Sequence, residues 1–121
     1  MEAQFQKGDD GVIDVHLGAA WSGFSEALQD AVTTHAPRGS DGVNPSTYWI
    51  DRTVAALSSA RDGEVVASGN ASDLVVEADE VVARSQYDTC DDERLPRSDL
   101  LDVLAQWRAE VVRVLSSAER R

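Results

Sequence analysis

The side chains able to perform acid–base or nucleophilic chemistry in this chain are few: His16, His35 and the lone thiol of Cys90, set among 22 acidic residues. Nucleophilic catalysis needs a nucleophile, a base and a group that orients the base. His16 shares the polar side of an alternating run with Asp14, and His35 sits just before Ala36-Pro37, where it complements the end of a helix. Cys90 lies among Asp88, Asp91 and Asp92, and neighbouring negative charge disfavours the thiolate form. The run Asp88-Thr89-Cys90-Asp91-Asp92-Glu93 lacks the central glycine and alternate acids of a calcium loop. Gly8-Asp9-Asp10-Gly11 does not join a strand to a helix, as a phosphate-binding loop would. The residues therefore read as a non-enzyme with no catalytic group, no metal and no cofactor.

What remains chemically distinctive is charge. Between Asp62 and Glu93 ten acids face a single base, Arg84, a local net charge of −9 in a chain whose total is −11. Like charges this close repel one another in the folded state, and a cationic partner relieves that repulsion. A pI near 4.4 argues against nucleic acid and anionic membranes as ligands, because both recruit clustered lysine and arginine. Candidate contact residues are Asp88, Asp91, Asp92 and Glu93, with Asp79 and Glu80 as a second patch and Tyr87 as an aromatic anchor beside them.

The elements that must position these groups are legible in the apolar spacing. Ile13, Val15 and Leu17 alternate with Asp14 and His16, which predicts a half-buried strand, the second arm of a hairpin turned at 8–11. Trp21, Phe24, Leu28, Ala31 and Val32 predict a helix over 22–34. Asn44-Pro45 offers a cap and a first helical residue for the next helix, which runs to about Arg61, with Gly63 as its left-handed C-terminal residue. Three strands follow at 64–68, 72–77 and 80–87, the first pair turned by Gly69-Asn70. Ser98 then caps a strongly amphipathic helix with a stripe of Leu100, Leu104, Trp107, Val111 and Val114. The order ββ-αα-βββ-α predicts an α+β fold, a mostly antiparallel sheet with helices packed on one face.

At 121 residues the chain is expected to be one globular domain, burying roughly two-thirds of its unfolded surface without staples. One cysteine allows no internal disulfide, and the first residues carry no apolar signal segment, so a cytoplasmic location is expected.

The stretch from Gly69-Asn70-Ala71-Ser72-Asp73-Leu74 through Arg84-Ser85-Gln86-Tyr87-Asp88, then Leu95-Pro96 and the helix with Leu104-Ala105-Gln106-Trp107-Arg108, resembles small acidic immunity proteins of bacterial contact-dependent inhibition and polymorphic toxin systems. The resemblance spans residues 64–115 and implies a cytoplasmic, non-catalytic inhibitor that binds a cognate toxin domain, often a basic nuclease. The competing expectation is a regulatory or oligomerising module that docks a partner through the C-terminal helix.

Overall fold

A computed structural model describes residues 1–39, 42–85 and 93–119, with side chains followed to residue 117. The α+β class holds: three helices pack with two antiparallel sheets. Strands β1 (Gln4–Lys7) and β2 (Ile13–His16) form a hairpin that stands as its own two-stranded sheet. The second sheet is a four-stranded meander, β3 (Val65–Ser68), β4 (Ser72–Glu77), β5 (Glu80–Ser85) and β6 (Glu93–Pro96), in that spatial order. The helices are α1 (Ser22–Ala31), α2 (Tyr48–Ser59) and α3 (Arg97–Glu119).

The fourth strand is the main departure from the sequence reading. Glu93-Arg94-Leu95-Pro96 pairs with β5, placing Leu95 opposite Val81 and Arg94 opposite Val82. Glu93 therefore belongs to a strand and not to the acidic loop. The alternation that marks β6 is only four residues long and sits behind six residues dominated by acids, so the charge run masked it.

One face of the meander is apolar. Leu74 and Val76 of β4, Val81 and Ala83 of β5, and Leu95 of β6 are buried against α1 and α3. The stripe of α3 meets them as its spacing requires, with Leu100, Leu104, Trp107 and Val111 at 0–1% exposure. The Trp107 indole donates from Nε1 to the carbonyl of Ile13 at 2.9 Å, so the same side chain fills the core and holds the hairpin.

Helix α1 ends at Ala31 rather than 34, because Val32-Thr33-Thr34 is a β-branched run that packs extended. The Thr34 hydroxyl accepts from Ile13 N–H at 2.7 Å and donates to the Ile13 carbonyl, so this segment borders β2. His35 is consequently four residues beyond the helix, near the Asn44 side chain, and does not complement its dipole.

Asn44-Pro45 does not open α2; Thr47 occupies the cap position and Tyr48 begins the helix. The Asn44 amide bridges loops instead, accepting from Ala36 N–H at 2.7 Å and donating to the Asp10 carbonyl. Gly63 does adopt a positive φ of 88°, but α2 stops at Ser59 and the glycine serves the turn into β3, where its N–H bonds Val76. Gly69 also has another task. The turn closes one residue later, with Gly69 N–H donating to Ser72, and a Cβ at Gly69 would overlap the carbonyl and carboxylate of Asp30. That approach lets the Asp30 carboxylate accept three backbone N–H groups of the turn, from Asn70 (3.1 Å), Ala71 (2.9 Å) and Ser72 (2.9 Å).

Candidate functional site

Four acids, Asp62, Glu77, Asp79 and Glu80, meet at the end of the meander where β4 turns into β5. The hairpin Glu77-Ala78-Asp79-Glu80 reverses over two residues, with Ala78 at a positive φ of 54°. Asp62 supports it from the neighbouring turn by accepting the Ala78 N–H at 2.7 Å. Asp79 and Glu80 are exposed at the tip, and the Asp79 carbonyl accepts the first N–H of α3, from Arg97, at 2.7 Å. The tip is thus tied both to the turn after α2 and to the start of α3. An open hollow of about 450 Å³ beside it is lined by Asp62, Gly63, Glu77, Ala78, Glu80 and Arg94.

Opposing charge reaches this end from strands that the sequence reading did not connect. Glu77 pairs with Arg84 and with Arg94, the latter at 2.7 Å, and Arg94 also lies 4.0 Å from Glu80. Both pairs on Glu77 run diagonally across Val82, which is fully buried although it faces away from the helices. Each such half-exposed pair is worth about 0–1 kcal/mol. Their consequence is positional: Glu77 is neutralised, while Asp79 and Glu80 project beyond it. Arg97 turns the other way, its guanidinium reaching the carbonyls of Leu57 and Ala60 at 3.4 Å and completing the C-terminal end of α2.

Of the residues singled out from sequence, Asp79 and Glu80 therefore stand together. Glu93 does not join them. It opens β6 half-buried, with its carboxylate against the first turn of α1, where a Cβ at Gly23 would overlap it. The absence of a side chain at Gly23 leaves the room that this carboxylate occupies. Tyr87, Asp88, Asp91 and Asp92, with Cys90, lie outside the described residues. Among the described residues the exposed large aromatic is Tyr48, which stacks edge-on against Trp49 and takes a hydrogen bond from Arg52 at 3.1 Å. It lies at the far end of α2 from the acidic tip, about 14 Å along the helix axis from Leu57.

Asp62 and Arg94 were missed as members of this end. The signal for Arg94 was the short alternation of β6. For Asp62 there was none, since only the turn geometry brings it to Ala78.

A second hollow, of about 420 Å³, is lined by His16, Gly18, Ala19, Ser22, Ser25, Glu26 and Gln29. Its inner polar groups hold the hairpin: the Ser25 hydroxyl accepts Leu17 N–H at 3.0 Å and the Gln29 amide donates to the Val15 carbonyl at 2.6 Å. Among the described residues no three histidine, cysteine or acidic side chains converge as a metal site, and no helix is long and apolar enough to cross a membrane. Compared with known protein families, characterised proteins and solved structures, the chain matches none.

Proposed function

We propose that this chain is a cytoplasmic, non-catalytic immunity protein that captures a cognate toxin domain of basic, nuclease type through the acidic end of its meander. The observation that carries the reading is the projection of Asp79 and Glu80 from a tip braced on two sides, next to a hollow walled by Asp62 and Glu77. A nuclease presents lysine and arginine to phosphate groups, and preorganised carboxylates match that potential while steering association. The acidic residues from Asp88 to Asp92 follow β5 in the chain and contribute to its net charge of −11. The alternative use of α3 as a docking helix is less well supported, because its stripe is buried within the chain and Val112 is its exposed large apolar residue.

The test is co-expression with a basic, nuclease-type toxin domain drawn from the neighbouring genes. The reading expects rescue of growth at one-to-one stoichiometry and a complex that survives gel filtration at low salt. Persistent toxicity, with this chain folded and abundant, would sink it.

A further inference from the structure

Backbone hydrogen bonding separates one sheet edge from the other three. The outer edge of β2 is closed by side chains: Thr34 and Trp107 bond Ile13, Gln29 bonds Val15 and Ser25 bonds Leu17. Edge strand β3 carries a register shift between Val65 and Ala67, and β6 is four residues long and ends at Pro96. Bulges, prolines and short edges are the devices that prevent pairing with another chain. Strand β1 is equally short, at four residues, but carries neither a bulge nor a proline.

Its free groups follow from the ladder. Gly8 N–H bonds the Val12 carbonyl, and the odd-numbered residues of β2 are turned outward, so Gln4 and Gln6 face His16 and Asp14 in bonded pairs. Phe5 and Lys7 must then point their N–H and C=O groups away from β2, and no described residue meets those N–H groups. The next outward residue shows that this edge takes an amide. The Gln106 side chain accepts Ala3 N–H at 3.0 Å and donates to the Met1 carbonyl at 2.6 Å, bonding the edge as a neighbouring strand would. Beyond that point the edge is open, with Gln4, Gln6 and Lys7 exposed.

We propose that β1 accepts an extended, basic segment of a partner protein as a third strand. Charge selects that occupant: residues 1–17 hold Glu2, Asp9, Asp10 and Asp14 against Lys7 alone, within a chain of net charge −11. The same charge opposes a second copy of this chain. The inference rests on the preceding reading for the basic nature of the partner and adds how its backbone is held.

The experiment is an NMR titration of the full chain with a synthetic octapeptide of alternating lysine and valine. Exchange at the Phe5 and Lys7 amides slows about tenfold at nine-tenths occupancy, while Gln4 and Gln6, already bonded to β2, change little. Lys7→Pro removes one outward donor and weakens binding about fivefold, the equivalent of one hydrogen bond of ~1 kcal/mol. Lys7→Gln, which loses the charge but keeps the N–H, binds within twofold of the parent. Should Lys7→Pro fail to fold, a peptide N-methylated at alternate residues replaces it and must lose binding. Shifts confined to Asp79 and Glu80, or equal binding by folded Lys7→Pro, would overturn the proposal. So would protection of Phe5 and Lys7 that grows with protein concentration without peptide, since the occupant is then a second copy. Failure here leaves the Asp79 and Glu80 effects on toxin association intact, and failure of the toxin reading leaves the peptide shifts at Phe5 and Lys7 in place.

Discussion

Replacing Asp30 with alanine should loosen the β3–β4 turn and cost stability by an amount that the geometry sets. The carboxylate accepts from Asn70, Ala71 and Ser72 at 2.9–3.1 Å, and Ala71 and Ser72 are half-buried. Hydrogen bonds to a charged group contribute about 1.5–3 kcal/mol each when shielded, and about 1 kcal/mol each is reasonable where water can return. The three together therefore contribute ~3 kcal/mol. Two terms offset this: alanine is the better helix former by roughly 0.5 kcal/mol, and an acid in the last turn of α1 opposes the helix dipole by a similar amount. The net loss expected for Asp30→Ala is about 2 kcal/mol. Urea denaturation followed by tryptophan fluorescence reads this as a midpoint lowered by ~1 M at unchanged slope. Exchange at the Ala71 and Ser72 amides should accelerate well beyond the global loss. A midpoint within ~0.2 M of the parent would refute the assignment of the turn to this carboxylate. Gly69→Ala probes the same contact from the other side and should cost about 1–3 kcal/mol, since the Asp30 carbonyl that its Cβ meets is backbone.

Two further outcomes are expected. Trp107→Phe keeps an aromatic ring in the core but removes the indole donor to Ile13, so it should lose about 2 kcal/mol in chemical denaturation and leave the sheet intact by far-UV circular dichroism. The hydrogen bond and charge of Arg113 hold the Glu110 carboxyl below its usual range, and Glu110 in turn raises Arg113. A depressed carboxyl stabilises the fold above its unfolded value and loses that contribution as pH falls through the folded one. Glu110→Gln should therefore leave the neutral-pH midpoint nearly unchanged, because the pair is exposed, and flatten the pH dependence of stability below about pH 4.5.

Long apolar periodicities were readable from sequence and local polar tasks were not. Leu100, Leu104, Trp107 and Val111 fix the buried stripe of α3 at helical spacing, and Ile13, Val15 and Leu17 fix the inward side of β2 and the residue after it. By contrast Asn44, Gly63 and Gly69 each have the residue type expected at a cap or a turn, yet bond or accommodate partners distant in sequence: Asp10, Val76 and Asp30. Cap chemistry and loop-bridging chemistry use the same side chains, so spacing alone does not separate them. The acidic end was half legible for the same reason. Asp79 and Glu80 announce a turn, but Asp62 and Arg94 reach it only through tertiary pairing, and Glu93 is withdrawn from it to the N-terminus of α1.

The central claim concerns what that end does in association. Two partner charges about 6 Å apart in water interact by ~0.7 kcal/mol, so removing both tip carboxylates should slow encounter by up to about tenfold at low salt. The decisive measurement is the stopped-flow association rate of the toxin domain with the parent chain and with Asp79→Asn/Glu80→Gln, at low and physiological ionic strength. The account predicts a slower variant with a shallower salt dependence and a dissociation rate changed far less. Equal association rates with equal salt dependence would contradict it.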